Sequence, residues 1–127
     1  MRPFWSILVV ALLHQGPGWP LAGGGQSSSV APAFSGARTW AEFLAGATAQ
    51  RELWLKTDGA ATVPLDLVAR ARRAARGLQL IAVAEDWCPD SVFTLPYVAH
   101  LAASAGIPFR ILDRRDGEAL MRAHPTR

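Results

Sequence analysis

The stretch Glu85-Asp86-Trp87-Cys88-Pro89-Asp90-Ser91 holds the single cysteine of this 127-residue chain. A thiolate attacks disulfides and accepts other sulfur species, whereas the protonated thiol is a poor nucleophile. With one cysteine no disulfide can close within the chain, so covalent sulfur chemistry needs a second molecule. Ser91 occupies the position of a second cysteine in a Cys-x-x-Cys pair. Its hydroxyl can donate a hydrogen bond to a thiolate but cannot resolve a mixed disulfide. Trp87, Pro89 and Asp90 flank the sulfur and would shape the surface that a partner meets. Other chemistry has thinner support. His14, His100 and His124 show no spacing with Cys88 that suggests a metal site. No Gly-rich phosphate loop precedes the helix that follows, and Asp113, Asp116 and Glu118 fit a solvated loop and helix start.

The elements that must hold Cys88 are read from apolar periodicity. Leu80 to Ala84 (LIAVA) is a continuous apolar run, too short for an independent helix, and suits a strand buried on both faces. Ser91 to Ala105 is predicted as a helix with Val92, Leu95, Ala99 and Ala102 on one face, closed by Gly106. Pro108 to Leu112 follows as a second strand and Asp116 to Ala123 as a short amphipathic helix. Strand, helix and strand form a βαβ unit with parallel strands and a right-handed crossover. Cys88 then lies at the carboxyl end of the first strand and the N-terminus of a helix. The unpaired N–H groups and positive dipole end there favour a thiolate. Glu85, Asp86 and Asp90 would oppose it if close, which leaves the net sign open. An inert cysteine filling core space is the competing reading.

Upstream, Thr39 and Glu42 have the spacing of a capping box, and Trp40, Phe43, Leu44 and Ala47 mark one helical face, predicting a helix to about Trp54. Asp58-Gly59 predicts a turn. Pro64 then opens a second helix, with Leu67, Val68, Ala71 and Ala75 as its apolar stripe and Asp66, Arg70 and Arg73 on a solvated face. At the N-terminus, Arg2, the apolar run Phe4 to Leu13 and small residues near Ala22 to Gly24 have the layout of a secretory signal; a translated upstream stretch or a mobile tail is the alternative. The run falls short of the roughly 20 residues of a membrane-spanning helix, so no permanent span is expected. Gly23 to Ala37 reads as a flexible linker by composition. The domain boundaries are therefore 1–37 for a signal-like or disordered segment and 38–127 for the domain. Export to the periplasm follows if the segment is a signal, and a cytoplasmic location otherwise. The net charge of +3 comes without a Lys/Arg run or interleaved aromatics, which argues against nucleic acid as a partner.

Together, EDWCPD at 85–90, Leu95-Pro96 and RILDRRD at 110–116 resemble the thioredoxin superfamily. They are most similar to bacterial thioredoxin-like proteins with a Glu-Asp-Trp-Cys-x-Asp motif. Pro96 is telling, because a proline inside a helix costs about 3 kcal/mol and so needs a reason. The resemblance implies a three-layer α/β/α domain: two N-terminal helices, then β-α-β-α. It also implies that the family's terminal β-hairpin, last helix and cis-proline loop are missing, as in a truncated reading frame with an exposed apolar strand edge. It implies monothiol thiol–disulfide exchange with Cys88 as nucleophile, Ser91 as a hydrogen-bond donor to the thiolate, and Trp87, Pro89 and Asp90 as binding residues, with Pro96 structural. No bound cofactor or metal is implied. The partner would be a protein or small-molecule disulfide, and turnover would use an external low-molecular-weight thiol. Two departures stand out: Pro89 replaces the glycine usual after the cysteine, and Ala82 stands where many thioredoxins bury an acid. A redox-inert thioredoxin-fold binding module, or a non-functional fragment, is the alternative.

Overall fold

Alternation along one strand builds two cores. In the computed structural model, which describes residues 11–14 and 27–125 with side chains from Val30 onward, β2 (Leu78–Val83) is the central strand. Successive side chains of a strand point to opposite faces. Ile81 and Val83 accordingly pack in one cluster with Val30, Phe34, Ala37, Leu112 and Leu120. Ala82 and Ala84 pack in the other, with Phe43, Ala47, Trp54, Val92, Leu95 and Ile111. Helices α1 (Ser27–Gly36) and α6 (Glu118–Ala123) supply the first face; α2 (Trp40–Gly46), α3 (Arg51–Ala60) and α5 (Pro89–Ala105) supply the second. Helix α4 (Leu65–Ala74) packs beside α5. The layers are those of a thioredoxin-like α/β/α fold, as expected.

The βαβ unit is present: β2 pairs in parallel with β3 (Phe109–Leu112), from Leu80 opposite Phe109 to Val83 opposite Leu112. On its other side β2 meets β1 (Ala11–His14) antiparallel. The outer edge of β3 is not bare. Arg38 and Ile111 exchange both backbone hydrogen bonds, at 2.9 and 2.8 Å, so one residue blunts the edge expected to be open.

Three expectations are corrected. Composition predicted a linker over Gly23–Ala37, but from Ser27 the chain is helical. Val30 and Phe34 on one face of α1, with Ala37 just after its end, bury against the sheet, a spacing that a count of Gly, Ser and Pro does not register. The signal-like residues before Ala11 and the cleavage region near Ala22 to Gly24 lie outside the described residues. The helix predicted from Thr39 to Trp54 is two helices, broken at Ala47–Gln50, where Gln50 takes a left-handed conformation at φ 54°. Asp58-Gly59 is not a turn but the last part of α3. Asp58 is held there by side chains of α2 and α5, so local turn propensity yields to tertiary contacts. The β-α-β-α core is thus preceded by three helices between Trp40 and Ala74, not two.

The capping box holds as predicted. Thr39 Oγ1 accepts from Glu42 N at 3.2 Å, and Glu42 Oε2 accepts from Thr39 N at 2.7 Å. Replacing Thr39 with alanine is expected to lower stability by about 1 kcal/mol, the usual cost of losing such a cap. Urea unfolding followed by circular dichroism would measure it; a midpoint equal to the parent's would show that the cap contributes nothing. Among the described residues no helix is long and apolar enough to cross a membrane.

Candidate thiol site

Cys88 is the N-cap residue of α5, the longest helix described, and follows the carboxyl end of β2. Pro89 occupies the first helical position, where its fixed φ suits the helix and its missing N–H would have had no helical partner. Cys88 O accepts from Val92 N at 3.2 Å, opening the helical ladder. The first-turn N–H groups of Asp90 and Ser91 lie at the end of the helix that Cys88 caps. The cysteine keeps 9% of its surface accessible, less than a strand-to-helix junction led one to expect. Its neighbours differ: Trp87 is 57% exposed, Pro89 and Asp90 are exposed, and Ser91 is half-buried in the first turn. Pro96 is buried within α5 beside Leu95.

What sets the turn before Cys88 is a clamp from the α2–α3 connection, which the sequence reading did not foresee. Asp86 Oδ2 accepts from Thr48 N at 2.8 Å and Ala49 N at 3.0 Å. Its backbone carbonyl accepts from Trp54 Nε1 at 2.7 Å. One residue on, Trp87 O accepts from Gln50 Nε2 at 2.6 Å. Contacts from Thr48, Ala49, Gln50 and, within α3, Trp54 therefore fix the peptide leading into the cysteine. Burial pushes the Asp86 carboxyl up, but the Thr48 and Ala49 N–H groups, the Thr48 hydroxyl and the nearby Arg38 outweigh it and hold the group below its ordinary value.

These contacts bear on the three acids whose charge would oppose a nearby thiolate. Asp86 is turned to the backbone of Thr48 and Ala49, and Glu85 Oε1 accepts from Arg114 N at 2.9 Å. Both carboxylates are committed to backbone donors from other segments. Asp90 stays on the first turn of α5 itself, exposed. Ala82 is 1% exposed and packed in the apolar cluster, so no carboxylate from that position serves the sulfur.

His100 lies twelve residues along α5 from Cys88 and takes no part in the turn. Its Nε2 is 2.9 Å from Asp58 Oδ1, the same oxygen that accepts from Trp40 Nε1 at 2.9 Å. This three-way contact ties α2, α3 and α5 together, a structural use of the histidine. Among the described residues no group of three His, Cys, Asp or Glu side chains could hold a metal ion.

A family model described as Thioredoxin matches residues 37–127, from the end of α1 through α6. No curated protein and no solved structure matches the chain.

Proposed function

We propose, from the premise that this chain belongs to a thioredoxin family, that it is a monothiol thiol–disulfide exchange protein with Cys88 as its nucleophile. The observation that carries the proposal is the seating of Cys88 as the N-cap of α5 at the carboxyl end of the central strand. The helix end favours negative charge at the sulfur. The clamp on Asp86 and Trp87 holds the preceding peptide still, so the sulfur need not be ordered at the moment of reaction. In the step itself the Cys88 thiolate attacks one sulfur of a disulfide, a bond forms between them, the old S–S bond breaks, and the other sulfur leaves as a thiolate. Cys88 is oxidised to a mixed disulfide and the leaving sulfur is reduced. An external low-molecular-weight thiolate then attacks the substrate sulfur of the mixed disulfide, forms a new disulfide with it and releases Cys88 as a thiolate, because Ser91 has no sulfur with which to do so. Ser91 serves instead as a hydrogen-bond donor to the thiolate, and Trp87, Pro89 and Asp90 form the surface around it.

Alkylation by iodoacetamide at pH 7 tests the reading. The folded chain is expected to react about tenfold faster than the same chain unfolded in urea, as a larger thiolate fraction dictates, with Cys88→Ser as the blank. A folded rate no greater than the unfolded one would defeat it. A second reading is favoured by the small accessibility of Cys88 beside exposed Trp87, Phe93 and Tyr97: a redox-inert module that binds a partner through these aromatics. On that reading Trp87→Ala abolishes partner binding and Cys88→Ser leaves it intact; covalent capture gives the opposite pattern.

A further inference from the structure

Beside the cysteine turn lies an open groove lined by Glu85, Arg114, Arg115, Glu118, Met121 and Arg122. It belongs to the same end of the sheet as Cys88. Arg114 and Arg115 follow the carboxyl end of β3, the parallel neighbour of the strand that ends before Cys88. Glu85 joins the two places: its carbonyl accepts from Cys88 N at 3.2 Å while its carboxylate accepts from Arg114 N at 2.9 Å. The Cα atoms of Glu85 and Cys88 are three residues apart, which limits their separation to about 10 Å.

The charges of the groove are unevenly committed. Arg122 is paired with Glu118 at 2.5 Å, and the Glu85 carboxylate is engaged by a backbone N–H. Among the described residues neither Arg114 nor Arg115 forms a salt bridge, and both are exposed. Arg114 and Arg115, successive exposed residues between Asp113 and Asp116, keep guanidinium groups that no described carboxylate pairs, at the margin of a sulfur site, and these suit a carboxylate, which arginine binds through two parallel hydrogen bonds.

We infer that Arg114 and Arg115 bind the carboxylate of a small anionic disulfide and so present its sulfur to Cys88. The inference rests on the reading of Cys88 as a nucleophile and adds the class of its small-molecule partner. The step is the exchange already written: the Cys88–sulfur bond forms, the S–S bond of the small disulfide breaks, and its second half leaves as the reduced thiolate.

Two chromogenic disulfides provide the test: 5,5′-dithiobis(2-nitrobenzoate), which carries carboxylates, and 2,2′-dithiodipyridine, which carries none. The ratio of their second-order rates with Cys88 is measured in the full chain at low salt, in Arg114→Gln/Arg115→Gln and in Arg70→Gln/Arg73→Gln. The last removes the same charge from the exposed face of α4. Focused charge in a cleft raises the encounter rate of an oppositely charged reactant by tenfold or more. The ratio is therefore expected to fall about tenfold in the first double variant, with the neutral probe's rate unchanged, and to hold within twofold in the second. An unchanged ratio in Arg114→Gln/Arg115→Gln, or an equal fall in both variants, would overturn the inference while leaving the nucleophile in place. If the parent reacts with the neutral probe no faster than when unfolded in urea, the nucleophile reading itself fails and the inference with it.

Discussion

Replacing Trp54 with alanine is expected to destabilise the domain by about 3–5 kcal/mol, the range for deleting a large buried aromatic. Three observations make this site costly. Trp54 is fully buried, it meets Phe43 edge-to-face at 5.0 Å and Trp40 at 6.0 Å, and its Nε1 donates to Asp86 O. Since native domains are stable by only about 5–15 kcal/mol, the loss would remove a large share of the margin. Trp54→Phe separates packing from hydrogen bonding. It keeps most of the ring and leaves the Asp86 carbonyl without its indole donor, for an expected loss of about 1 kcal/mol. Urea unfolding of the two variants would measure both. A Trp54→Ala cost below that of Trp54→Phe would show that the indole is not a core residue at all.

Trp54 also shows what was legible in the sequence and what was not. Short apolar runs, period-3.6 stripes and cap spacings are local signals, so β2, α5, β3 and the capping box at Thr39 could be read directly, and with them the seat of Cys88. The helix break at Ala47–Gln50 could not. It exists because Asp86, almost forty residues later, accepts the N–H groups of Thr48 and Ala49 that a continuous helix would have used internally. Nothing in the window around Thr48 announces that demand. The burial of α1 is hidden for the opposite reason: the apolar spacing at Val30, Phe34 and Ala37 is present, but it lies inside a Gly/Ser/Pro-rich stretch whose composition is that of a linker. The likeness to the thioredoxin superfamily was carried by the turn and Pro96, and the family match over residues 37–127 spans the elements that hold them. Gln50 and Trp54, which hold that turn, are polar or aromatic residues in an otherwise ordinary helical stretch. Only their long-range acceptors reveal their role.

Asp86→Ala is the second large effect expected, and it links stability to pH. At pH 7 the substitution leaves Thr48 N and Ala49 N without their acceptor. Hydrogen bonds to an ionised group are worth about 1.5–3 kcal/mol each, but this carboxylate is partly in water, so the two together are taken as about 2 kcal/mol. The folded state holds the Asp86 carboxyl below its ordinary value: burial raises it, and the Thr48 and Ala49 N–H groups, with the Thr48 hydroxyl and Arg38, more than reverse that. A carboxyl lowered by folding contributes stability that is fully present above its unfolded value, near 3.9, and is lost as pH falls through the folded value. The stability difference between the parent and Asp86→Ala should therefore be constant from pH 7 to about pH 5 and shrink below about pH 4. Urea unfolding at stepped pH would show it, and a difference that persists undiminished at pH 2 would mean that the ionised carboxylate is not what holds the turn. Because the same clamp orders the peptide entering Cys88, the variant's alkylation rate at pH 7 should move toward that of the unfolded chain even in buffer where the domain remains folded. An unaltered rate in a folded Asp86→Ala protein would uncouple the clamp from the sulfur and leave the helix end alone to account for its reactivity.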